Sequence, residues 1–328
     1  MTASPVLSIR NLSLEFPLWG GALHALEDVT IEIAAGEIVG VVGESGCGKS
    51  VTAMAAMRLL PERAYRVTQG AIVMLGQDML TAGEADLRAL RGSGVAMIFQ
   101  EPLTALNPTR RIGDLMVEVI RAHQPIGRSE AREKAIGLLD SMRIADARAV
   151  IRRYPFELSG GMRQRIVIAL AFANDPRLVI ADEPTTALDV TVQRQVLTLL
   201  QARARDVGAA VLLITHDLGV VSEYADRVYV MYAGKVVESG PTDAVLTTPR
   251  HPYTRALLQA GPEAVAPKSP LAAIPGGLPD LREIIPGCRY AGRCGLATDI
   301  CRGAAPPQSQ AAAPGHTLSC WHAEGMSR

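Results

Sequence analysis

The sequence lacks a charge excess of either sign: 33 lysines and arginines balance 33 aspartates and glutamates. A general nucleic-acid binder meets a polyanion and usually carries surplus positive charge, so that class is disfavoured. Long apolar runs are also missing. A membrane-spanning helix needs about 20 consecutive apolar residues, and the stretch Ala209 to Ile214 is cut off by His216 and Asp217. The opening Met1-Thr2-Ala3-Ser4-Pro5 has no cationic region leading into an apolar one, so no secretory leader is expected. A soluble chain is expected, with any membrane role supplied through partners. The C-x2-C pairs of common zinc sites are absent, as are internal repeats and sustained heptads.

What is present is 328 residues, 48% hydrophobic and 20% charged, enough for one large domain and a smaller appendage. Leu7, Ile9, Leu12, Leu14 and Phe16 alternate like strand residues with a slip near Asn11, and Val29, Ile31 and Ile33 repeat the pattern. Together they predict an N-terminal antiparallel sheet. Four continuous apolar runs follow, Ile38–Val42, Val95–Phe99, Leu178–Ala181 and Val211–Ile214, separated by helical stretches such as 131–142 and 190–205. Strands buried on both faces and alternating with helices predict an α/β domain with a mostly parallel sheet. These runs end at Gly43, Gln100, Asp182-Glu183 and Thr215-His216, and ligands of such sheets sit outside the carboxyl ends of the strands. A hairpin is predicted from Arg227 to Glu238, turning at Ala233-Gly234-Lys235.

Gly43-Glu44-Ser45-Gly46-Cys47-Gly48-Lys49-Ser50 fits G-x-x-x-x-G-K-S between a buried strand and a helical stretch. Its glycines let backbone N–H groups, through Val51 at the helix start, face phosphate oxygens. Lys49 suits the β- and γ-phosphates and Ser50 suits Mg²⁺. Cys47 occupies a variable position and reads as a small loop side chain. Asp182 suits holding Mg²⁺, and Glu183 suits general-base activation of water. Beside a phosphate loop, this acidic pair outweighs its reading as an exposed turn before Pro184. Gln100 suits Mg²⁺ ligation and water orientation, and His216 suits a γ-phosphate contact.

Leu158-Ser159-Gly160-Gly161-Met162-Arg163-Gln164-Arg165 resembles the LSGGQ signature of ABC transporter ATPases, with Met162 in place of Gln. Read physically, Ser159 caps a helix whose tip the glycines open to a phosphate. The order phosphate loop, Gln100, signature, Asp182-Glu183, Asp189, His216 resembles that family over about 240 residues. The resemblance implies a P-loop ABC cassette over 1–245, with an N-terminal antiparallel β subdomain and a helical signature subdomain over about 101–170. It implies that two cassettes pair head to tail, so that Ser159, Gly160 and Gly161 contact ATP held by the companion's phosphate loop and Asp189 crosses the interface. Phe16 resembles the aromatic that stacks on adenine, with Trp19 as a second candidate. The surface near Gln100 is implied to dock a helix of the membrane subunits.

Phe99-Gln100-Glu101-Pro102-Leu103-Thr104-Ala105-Leu106-Asn107-Pro108, Ala181 to Thr191 and His251-Pro252-Tyr253-Thr254-Arg255-Ala256-Leu257-Leu258 resemble the dipeptide and oligopeptide importer ATPases. The implied assembly has a second ATPase subunit, two transmembrane permeases and an extracytoplasmic substrate-binding protein at the cytoplasmic face of the cell membrane. Related importers carry nickel, glutathione or antibiotic peptides. A non-transport cassette of DNA repair would carry a coiled coil between phosphate loop and signature; here that gap is about 110 residues without heptads. The region 246–328 reads as this subfamily's C-terminal extension. Within it, Cys288, Cys294, Cys301 and Cys320 are spaced C-x5-C-x6-C-x18-C. Four thiolates suit tetrahedral Zn²⁺, with His322 as a substitute ligand, or a [4Fe–4S] cluster. The resemblance favours the cluster, in a structural role.

Overall fold

The computed structural model describes residues 4–101, 105–186, 188–261, 274–311 and 313–323. Pro102, Leu103, Thr104 and Ala187 of the quoted segments lie outside them. The chain divides into two compact units. One, here the phosphate-loop unit, is built from Leu7–Ile33, Ile38–Leu80 and the chain from Leu213 onward; the other, the signature unit, is built chiefly from Thr81–Leu212 with Ala34–Glu37.

In the phosphate-loop unit, β1 (Leu7–Leu18) and β2 (Gly21–Ile33) pair antiparallel. With β4 (Arg66–Met74) and the short β5 (Gln77–Asp78) they form a sheet in the order β2-β1-β4-β5. Leu7, Ile9, Leu12 and Leu14 face its buried side. The slip at Asn11 is a bulge: its φ is +48° and the register shifts between Ile9 and Leu12. Asn tolerates this left-handed conformation better than most residues.

Strand β3 (Ile38–Val42), wholly buried, lies parallel to β9 (Arg227–Tyr232), and a turn at Ala233-Gly234 leads into antiparallel β10 (Lys235–Pro241). Both turn residues have positive φ, as a two-residue hairpin needs. The extension adds two short strands, β11 (Gln308–Gln310) and β12 (Thr317–Ser319), with Leu318 opposite Glu238. Helices α1 (Lys49–Ala56), α8 (Leu218–Tyr224), α9 (Thr242–Thr247), α10 (Pro252–Ala260) and α11 (Asp299–Gly303) complete the unit.

The signature unit pairs β6 (Val95–Ile98) parallel to β7 (Leu178–Asp182). Its helices are α2 (Glu84–Leu90), α3 (Ile112–His123), α4 (Arg128–Ser141), α5 (Ala147–Val150), α6 (Gly160–Ala171) and α7 (Val190–Val207). Strand β8 (Ala210–Thr215) is divided between the units. No helix among the described residues is long and apolar enough to cross a membrane.

The extension shares the core of the phosphate-loop unit. Tyr253 and Tyr290 are buried against Tyr232 of β9, with ring centroids 4.6 and 5.0 Å from that ring, among Val42, Val228 and Val230. Such edge-on rings bury much area and add a geometric preference. His251 caps α10 by accepting the Tyr253 N–H at 3.1 Å. Its complete burial pushes the imidazole down to about 3, so it stays neutral. Buried Glu238 accepts the N–H groups of Arg250 and His251 and pairs with Nε2 of His316 at 2.7 Å, joining β10 to the chain just before β12.

Candidate nucleotide site and cysteine cluster

The phosphate loop leaves β3 at Gly43, whose φ is +154°. A Cβ there would lie 2.1 Å from the carbonyl oxygen of Met231, so only glycine fits. Gly48, at φ +106°, would put a Cβ 2.8 Å from Leu26. The loop curls tightly as the motif predicts, and its Lys49 opens α1. Lys49 is buried, and its Nζ donates to the carbonyls of Gly43 at 2.8 Å and Glu44 at 3.1 Å. Ser45 and Gly46 are exposed and Ser50 half-buried. Cys47 is buried, and burial pushes its thiol up, which favours the unreactive protonated form.

In the signature unit, β7 ends at buried Asp182, and Glu183 follows with φ +45°. A non-glycine residue in this region is uncommon and marks a constrained turn. Glu183 Oε2 accepts the Gln100 amide at 3.3 Å and the Thr186 hydroxyl at 2.8 Å. Gln100 and Glu183, 83 positions apart, are thus brought together. Thr186 is not among the sequence-predicted site residues; its sequence signal is its place in the Ala181–Thr191 segment, three residues after Glu183.

Ser159 caps α6 as predicted, its Oγ accepting the Met162 N–H at 3.3 Å. Asp189 caps α7 by accepting the Val192 N–H at 3.0 Å. The two helix tips border one open pocket lined by Ser159, Gly160, Gly161, Leu188 and Asp189. At Gly161 a Cβ would lie 2.9 Å from Val192. Two adjacent helix N-termini concentrate N–H dipoles where an anion is favoured.

His216 is exposed after β8 and borders a cleft of about 550 Å³ with α8, α9 and α10. Phe16 is half-buried opposite Leu23, and Trp19 is fully exposed at the β1–β2 turn.

All five cysteines are free. Burial, with smaller contributions from the neighbouring Cys320, Cys294 and Cys301, pushes the Cys288 thiol up to about 11. The backbone ties Cys288 N–H to Cys301 O at 2.7 Å. Yet among the described residues no group of three or more His, Cys, Asp or Glu side chains is arranged to hold a metal ion. His322 turns its ring to Thr298, with Nε2 3.0 Å from that hydroxyl, while its backbone N–H reaches Cys320 Sγ at 3.4 Å. The thiols are gathered, but not as a formed metal site.

A glycine-cradled Lys-Ser loop between strand and helix, with a carboxylate closing a buried strand, defines a P-loop nucleoside triphosphatase. The comparisons narrow the class. Residues 26–186 match the family described as ABC transporter, and 237–301 match the oligopeptide/dipeptide transporter C-terminal region. The probable D,D-dipeptide transport ATP-binding protein DdpD of Escherichia coli (strain K12) is 58% identical over 97% of each chain. The dipeptide transport ATP-binding protein DppD of Bacillus subtilis (strain 168) is 43% identical over 96% of this chain and 94% of its own. Among solved structures, the dimeric post-hydrolysis cassette MJ0796 bound to ADP and Pi matches with TM-score 0.64 at 24% identity, covering 72% of this chain and 98% of that one. CbiO1 from Clostridium perfringens matches with TM-score 0.63 at 22% identity, over 75% of this chain and 92% of that one. These structures share the fold. The chain belongs to the ABC transporter family, as an ATP-hydrolysing subunit with the C-terminal region of the oligopeptide/dipeptide branch.

Proposed function

We propose that this chain powers import of di- and oligopeptides as one of two cassettes bound to two transmembrane permeases at the cytoplasmic face of the cell membrane. The second cassette is a different ATPase subunit, and an extracytoplasmic binding protein delivers the substrate. Residues 1–245 form the nucleotide-binding domain, with its helical subdomain at about 101–170, and 246–328 the extension. The observation that carries this reading is the phosphate loop joined in one chain to residues 237–301, matching the oligopeptide/dipeptide region, with 58% identity to a probable dipeptide transport subunit.

In this reading the backbone from Gly43 to Val51 cradles the triphosphate, Lys49 engages its β- and γ-oxygens, and Phe16 meets the adenine. Ser50, Gln100 and Asp182 are the residues that would hold Mg²⁺, whose chemistry is to neutralise phosphate charge. Glu183 takes a proton from the attacking water, and His216 contacts the γ-phosphate. Ser159, Gly160, Gly161 and Asp189 meet ATP bound to the companion, so ATP favours the closed pair and drives the permeases. The complete transporter in proteoliposomes, with its binding protein, is expected to accumulate a labelled dipeptide only with ATP. ATP-dependent accumulation of nickel or glutathione instead would overturn the peptide assignment.

We further read Cys288, Cys294, Cys301 and Cys320 as ligands of a [4Fe–4S] cluster that cross-links the extension. Four buried or partly buried thiols close enough to interact electrostatically support this. Protein purified without oxygen is expected to hold about four irons with visible charge-transfer absorption. Stoichiometric zinc without iron would replace the cluster with a Cys₄ site; neither metal would remove both.

A further inference from the structure

We propose that Arg293 and Tyr253 of the extension are positioning residues for the phosphate loop, holding Glu44 by its side chain and its backbone so that the extension sets ATP affinity. The inference rests on the reading that Gly43–Ser50 binds the triphosphate.

Glu44 is the second residue of the loop, and its carboxylate is a negative charge where a polyanion must bind. Arg293 meets it with two parallel bonds, Nη1 to Oε2 at 2.6 Å and Nη2 to Oε1 at 3.0 Å. This fork-on-carboxylate geometry fixes direction as well as charge. The guanidinium is 6% exposed and the carboxylate 29%, so solvent screens the pair weakly. The rest of the guanidinium is held in place. Nε donates to Pro275 O at 2.7 Å, Nη2 donates to Ile274 O at 3.0 Å, and the group lies over the Tyr232 ring at 5.7 Å. From the other side, the Glu44 N–H donates to the Tyr253 hydroxyl at 2.9 Å. Leu278 of the same segment would touch a Cβ built at Gly46, at 3.4 Å. Arg289, four residues before Arg293, anchors the segment to Ala233 O and Glu27.

Two consequences follow for ATP. Arg293 cancels the Glu44 charge beside the phosphates, and the two grips keep the loop's first turn in its binding shape. Both act on affinity more than on the bond-breaking step.

The test uses the reconstituted transporter. Arg293→Ala is expected to raise KM for ATP about tenfold while kcat changes less than threefold. Adding Glu44→Gln, which removes the stranded charge, is expected to recover most of that rise. A purely structural Arg293 would show no such rescue, so the pair forms a cycle that isolates the coupling. An unchanged KM in Arg293→Ala, or a rise that Glu44→Gln does not relieve, overturns the proposal. Should Arg293→Ala not assemble, Tyr253→Phe deletes one hydroxyl and keeps the ring packing. A several-fold rise in KM then supports the proposal, and an unchanged KM overturns it. Lys49→Ala runs alongside. If it binds ATP as the parent does, the loop reading itself fails; if it loses ATP while the other variants match the parent, only the clamp fails.

Discussion

Glu183→Gln is expected to lower ATP turnover about 10³-fold while ATP affinity stays within a few-fold of the parent. A positioned general base contributes about 10²–10⁴ in rate, and the proposed role of Glu183 is that of such a base. Its carboxylate closes a strand buried along its whole length and is fixed by the Thr186 hydroxyl and the Gln100 amide. Glutamine keeps the shape and one acceptor oxygen for Thr186 but cannot take a proton. The loss therefore falls on the chemical step, read as single-turnover hydrolysis of bound ATP beside equilibrium binding. A fall of less than tenfold would move water activation to another group.

Lys49→Ala is expected to weaken ATP binding about 100-fold, or about 2.7 kcal/mol, and to depress turnover further. The ammonium is buried against the loop and donates to the carbonyls of Gly43 and Glu44, partners that phosphate oxygens would replace. A phosphate adds a full negative charge to the acceptor side, so the ammonium gains more from a phosphate oxygen than from a neutral carbonyl. Isothermal titration with an ATP analogue, with circular dichroism to confirm an intact fold, measures it. Unchanged affinity would assign the triphosphate elsewhere.

Much of the site was legible because its physics is local. Strands β3, β6, β7 and β8 are buried on both faces, so each reads as an unbroken apolar run within a residue or two of its observed bounds. The slip at Asn11 announced a bulge, and Ser159 announced a helix cap. What escaped reading depends on distance along the chain. Strands β11 and β12 are three residues each and mostly polar; they exist because β10 offers an edge to pair with. Glu44 and Arg293 stand 249 positions apart, and no periodicity links them. The hydrophobic value of Tyr253 and Tyr290 was hidden too, because their core partners lie on β9 rather than in the extension.

The central claim is that transport is paid in ATP hydrolysed at this chain's phosphate loop. The direct measurement is parallel: ATP turnover and peptide uptake in the same proteoliposomes, for the parent and for Glu183→Gln. Both rates are expected to collapse together in the variant. Uptake continuing at the parental rate while turnover is lost would contradict it.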